Sequence, residues 1–230
     1  KTLHTEKKFS AKLDSFTIEE FPMYASIENQ VRTIKSFSRP VILVDDLLHK
    51  GYRLKHLDPI MKRNDIQIKK IIVGILSGHG KDLMSLQERE VESAYFIPNL
   101  KSWFVESTLY PFIGGDSVES DDAGPANLIA SVNLIPPFAA MGFLYMYDKE
   151  AVYELAMTCL ENTKEIFKVL EDEYLDHFER QLTIRRLSDV IRKPRRPAGS
   201  NISDKQLAMS PSSYIDDYIY RLERLKNAML

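Results

Sequence analysis

Two adjacent carboxylates, Asp45 and Asp46, follow the branched apolar run Val41-Ile42-Leu43-Val44 and precede Leu47-Leu48-His49-Lys50-Gly51-Tyr52-Arg53. An apolar run of this kind reads as a buried parallel strand. The acidic pair is then expected at its carboxyl end, where open α/β sheets bind their ligands. Carboxylates accept hydroxyl hydrogen bonds, and charged acceptors make the stronger ones. After Leu48 the chain supplies a turn glycine, Gly51, flanked by His49, Lys50, Tyr52 and Arg53. Backbone amides of such a turn, backed by the start of the next helix, form an anion-binding concavity. A purely local reading stands beside this one, in which the acidic pair ends a core strand and caps the following turn.

The run from Val41 to Arg53 resembles the phosphoribosyl-pyrophosphate motif of type I phosphoribosyltransferases: a hydrophobic strand, two acidic residues, a short loop with a glycine, then a helix. The resemblance implies an α/β fold with a partly parallel sheet, helices packed around it and a helical C-terminal region. It also implies that Asp45 and Asp46 hold the two ribose hydroxyls while His49, Lys50, Gly51, Tyr52 and Arg53 wrap the 5'-phosphate. The family's loop usually carries small hydroxyl residues, whereas this chain has His49, Lys50, Tyr52 and Arg53 there. The implied reaction displaces magnesium-bound pyrophosphate from C1 of the ribose by a nitrogen nucleophile, with Mg2+ as the cofactor. Lys50 and Arg53 would stabilise phosphate charge. No residue is assigned as general acid or base; His49 and His79 are candidates by residue type alone. The alternative is a non-catalytic nucleotide-binding, sugar-phosphate-binding or scaffold module of a larger protein. A similar segment late in multidomain cytidylyltransferase-related proteins fits that alternative.

Other families with acidic strands match less well. Haloacid-dehalogenase-type enzymes need an acid two positions after the first, where this chain has Leu47. A response-regulator receiver needs an Asp ending a later strand, and neither Ile71–Leu76 nor Ala94–Ile97 ends in one. The loop Ser77-Gly78-His79-Gly80-Lys81-Asp82 superficially suggests a nucleotide phosphate loop. The spacing from Gly74 to Gly80 is one residue too long, however, and Asp82 replaces the required hydroxyl residue. A rim loop contacting a ligand through Gly78, His79 and Lys81 and a plain strand-ending turn are both open readings.

The elements that must position these groups follow from periodicity. Residues 1 to about 25 are polar and mixed; Ile27, Val31, Ile34 and Phe37 predict a helix ending before Pro40. Leu54, Leu57, Ile60 and Met61 predict a second helix, with Asp58 as N-cap and Pro59 at the first helical position, so that it starts late or bends. Strands are expected at Ile68–Leu76, Glu92–Ile97 and Ser102–Glu106, and strand, helix, strand in this order implies a parallel pair with a right-handed crossover. Trp103 to Asp116 reads as an aromatic core edge followed by a Gly-Gly turn, and Ser117 to Gly124 as an acidic surface loop. A long amphipathic helix is expected after an Asp148 N-cap. The basic stretch Arg180 to Arg196 reads as a solvated helix end and loop. Ser210-Pro211 is expected to open a final helix. The domain expectation is an α/β domain over residues 1–147 and a helical extension over 148–230.

Composition bounds the rest. The chain has 230 residues, 44% of them hydrophobic and 28% charged, with a formal net charge of −2. No field here argues for nucleic acid or an anionic membrane, and no apolar run reaches the ~20 residues of a membrane span. The single Cys159 excludes an internal disulfide; set in an apolar helical stripe, it reads as a buried structural thiol in a cytoplasmic protein. The expected partner is a small-molecule sugar phosphate or nucleotide, with an upstream domain or a second copy also possible. The missing initiator Met and the short stretch before Asp45 suggest a piece of a longer parent.

Overall fold

A computed structural model describes residues 1–119, 128–139, 148–187, 191–195 and 202–229. The chain is an α/β protein that divides into two compact units, one made of Lys1–Thr5 with Ile18–Phe104 and the other of Glu6–Thr17 with Val105–Leu230. This division follows internal contacts and falls elsewhere than residue 147. Much of the acidic loop Ser117–Gly124 and the stretch Pro197–Asn201 lie outside the described residues.

In the first unit, α1 (Ile27–Lys35) leads into β3 (Val41–Leu48), followed by α2 (Tyr52–Arg63), β4 (Ile68–Ser77), α3 (Gly78–Leu86) and β5 (Val91–Ile97). The strands form a parallel sheet in the order β3-β4-β5, with Val44 opposite Ile72 and Ile72 opposite Glu92. Leu54 of α2 and Met84 of α3 share a buried cluster with Leu48, Ile71, Val73 and Leu76. A second cluster joins Ile27, Val31 and Ile34 of α1 to Leu57, Ile60 and Met61 of α2. The helices thus cover the side of the sheet carrying Ile71 and Val73. On the other side Val44 remains 70% exposed and Ile42 55%.

The expected break at Asp58-Pro59 does not occur, because α2 runs unbroken through Pro59. Its apolar positions 54, 57, 60 and 61 are all buried, and that burial overrides the local start signal. Asp58 serves instead as the partner of Arg89, at 2.9 Å. The strand expected over Ser102–Glu106 is also absent: residues 98–105 are irregular, and Glu106–Leu109 forms a single 3-10 turn.

The N-terminal residues, which look featureless in sequence, form β1 (Thr5–Phe9) and β2 (Phe16–Glu20). They belong to a sheet of order β2-β1-β6-β7-β8, with β6 at Asp116–Val118, β7 at Ile129–Val132 and β8 at Arg192–Pro194. Lys7 lies over the rings of Phe9 and Phe16 at 4.1 and 4.7 Å, which fixes the hairpin through cation–π contact. The basic stretch is corrected here as well. Arg192 and Lys193 are buried in β8, and Arg192 pairs with Glu6 and donates to Ser117.

Two helices complete the second unit much as their caps foretell. Asp148 accepts from the Glu150 N–H at 2.9 Å and opens α4 (Lys149–Phe178). After the short α5 (Asp204–Leu207), α6 spans Pro211–Met229. Helices α4 and α6 run antiparallel, with Glu171 accepting from Ser212 and Lys164 pairing with Asp216. Between them Phe112, Leu160, Phe167, Ile215 and Tyr218 form the core, and Cys159 is buried in it as a free thiol.

Candidate functional site

The acidic pair does not end its strand, because Leu47 and Leu48 continue β3 for two more residues. Adjacent strand residues point to opposite faces. Asp45 accordingly faces the helices, half-buried, while Asp46 stands exposed on the uncovered side. Both carboxylates also turn onto the local backbone: Asp46 N–H donates to Asp45 Oδ1 at 3.1 Å and Leu47 N–H to Asp46 Oδ1 at 2.8 Å. Both hydrogen bonds lie within β3, so the pair neither ends the strand nor caps the turn that follows it.

Asp45 has a strong external partner. Arg53, in the first turn of α2, donates Nη1–H to Asp45 Oδ1 at 2.7 Å. Burial pushes the Asp45 carboxyl above the ordinary aspartate range, against the pull of the Arg53 charge, and neighbouring Asp46 adds to the rise.

The loop between them is shaped by Gly51, whose φ of +66° is left-handed and which caps α2 without a side-chain hydrogen bond. No acidic residue lies in the first turn of α2, so its positive end is not neutralised locally. Lys50 and Tyr52 are exposed beside it. The groups near this helix start with an affinity for anions are Lys50 and Arg53, the latter already paired with Asp45.

His49 behaves differently from its neighbours. It is only 8% exposed, and its Nδ1 lies 2.7 Å from Ser77 Oγ. Ser77 in turn caps α3 by accepting the Gly80 N–H at 3.1 Å. His79 and Trp103 pack edge-on against the His49 ring, with centroids 5.2 and 4.8 Å away. Burial, then the nearby His79 and Lys50, hold the His49 imidazole below the ordinary histidine range.

The expected rim loop is instead the first turn of α3, where Gly78, His79 and Lys81 stand, and it is built for close approach. A Cβ on Gly80 would lie 2.3 Å from Leu48 O, and one on Gly78 would lie 2.6 Å from Pro98 O. Those glycines let the ends of β3, β4 and β5 meet. Lys81 reaches across to the Phe96 ring at 5.1 Å. Among the site residues expected from sequence, the structure joins Asp45 to Arg53 and His49 to His79, and puts Asp46 on the other face. Ser77 and Trp103 are the members the residue pattern alone did not tie to His49; a Ser opening a helix was the available signal for the first.

Among the described residues no group of three His, Cys, Asp or Glu side chains could enclose a metal ion. A magnesium ion arriving with phosphate oxygens and waters needs only one or two carboxylates, and exposed Asp46 fits that role. Among the described residues no helix is long and apolar enough to cross a membrane. Compared with protein-family models, with curated proteins and with solved structures, the chain finds no match.

Proposed function

We propose that the first unit is a phosphoribosyltransferase-like module that binds phosphoribosyl pyrophosphate or a nucleoside 5'-phosphate. The observation that carries this reading is Asp45 and Arg53 meeting at the start of α2, where Gly51 supplies no capping side chain, beside the carboxyl edge of a parallel sheet. A carboxylate for ribose hydroxyls and cations for phosphate are thereby held within one side chain's reach. Because β3 is an edge strand of its sheet among the described residues, a ligand lying along that edge could reach Asp45 on one face and Asp46 on the other. Magnesium, when bound with pyrophosphate, would neutralise its charge; Asp46 would hold it, and Lys50 and Arg53 would orient the 5'-phosphate. The single cysteine supports a cytoplasmic setting.

Binding without transfer is the second reading. It is favoured by His49, the histidine nearest the acidic pair in sequence, being buried and engaged with Ser77. A thermal-shift titration with magnesium tests binding: phosphoribosyl pyrophosphate or a nucleoside 5'-monophosphate should raise the melting temperature, and Asp45→Asn with Asp46→Asn should remove most of that rise. No shift with any such ligand would end both readings. Pyrophosphate release with purine, pyrimidine or ammonia acceptors would then select transfer over binding alone.

A further inference from the structure

The two residues that the sugar-phosphate reading assigns to different parts of one ligand are bonded to each other. Arg53 Nη1 and Asp45 Oδ1 are 2.7 Å apart, with side chains 48% and 26% exposed. One carboxylate oxygen that would accept a hydroxyl thus already accepts from Arg53, and the guanidinium that would meet a phosphate is already paired. We propose that Arg53 is the specificity-determining residue of this cradle, holding Asp45 in an ion pair that an anionic group on the ligand opens.

This inference rests on the sugar-phosphate reading and adds an order to it. A phosphate at the start of α2 competes with Asp45 for Arg53, and does so with the help of Lys50 and the positive end of the helix dipole. Arg53 sits in the first turn of that helix, so its side chain can exchange partners without moving the backbone. Asp45 is then released to accept hydroxyl hydrogen bonds. A neutral sugar offers Arg53 only uncharged acceptors and must compete for a carboxylate that is already paired. The site thus selects molecules that carry an anion and a hydroxyl pair together. Half-exposed ion pairs are weak, so the coupling should be modest, on the order of two- to fivefold in affinity.

The test is an NMR titration of the full chain with inorganic phosphate, ribose and ribose 5-phosphate, with circular dichroism to confirm that each variant folds. Asp45→Asn frees Arg53 and should tighten phosphate by roughly two- to fivefold while weakening ribose. Arg53→Gln should do the reverse, weakening phosphate and tightening ribose. If both variants weaken both ligands, or change neither, the coupling is overturned while the cradle stands. If the wild-type chain binds none of the three, the cradle falls and the coupling with it.

Discussion

His49 Nδ1 lies 2.7 Å from Ser77 Oγ, so the turn that leaves β3 is tied to the residue that caps α3. Replacing Ser77 with Ala removes the cap and the histidine's partner in one step. The expected loss is about 1–2 kcal/mol, read as a lower urea midpoint with an unchanged slope.

The same histidine should make stability depend on pH. Its folded-state pKa is lowered by burial, so the unfolded chain takes up the proton first. Stability is therefore complete above the ordinary histidine value of about 6.5 and is lost as pH falls through it. His49→Gln should flatten the decline in melting temperature between neutral and mildly acidic pH. An unchanged profile would show that His49 does not titrate differently in the two states.

Gly80 and Gly51 should respond differently to alanine. At Gly80 the new Cβ would meet backbone, Leu48 O at 2.3 Å, and β3 or α3 must shift; a loss at or above the usual overpacking cost of about 1–3 kcal/mol is expected. At Gly51 the nearest atom is the flexible end of Leu83, so the cost comes from the left-handed backbone, roughly 1–2 kcal/mol. Chemical denaturation of the two variants gives the comparison directly.

In the second unit, Glu6→Gln should be severe. Arg192 and Glu6 have side chains only 5% and 12% exposed, and removing one charge from a buried pair costs about 3–5 kcal/mol. Replacing both residues, as Glu6→Leu with Arg192→Met, should recover much of that loss. A double variant no more stable than Glu6→Gln would show that the pair does more than neutralise itself.

The parts of the fold that sequence made legible are those whose signals are local. The apolar run of β3, the caps of α4 and α6 and the strands β4 and β5 depend on neighbours along the chain. What was hidden depends on distant partners. Arg192 looks solvated until Glu6 joins it across 186 residues, and Asp58-Pro59 looks like a helix start until Leu57 and Ile60 are buried on either side of it. At the site, the residue types of the cradle were readable, but the opposite facing of Asp45 and Asp46 was not. That depended on whether β3 stops at Asp46 or runs on through Leu47 and Leu48, which flanking composition does not decide.

The exposed side of β3 has a consequence for how the protein behaves in concentrated solution. An edge strand with Ile42 and Val44 bare on one face is a template on which further strands can grow into aggregates. Asp45 and Asp46 interrupt that template with charge and with carboxylates that each accept from the amide of the next residue. Neutralising both should leave the fold intact yet raise light scattering at high protein concentration. The acid pair would thus act as a gatekeeper of solubility even in a molecule that holds no ligand.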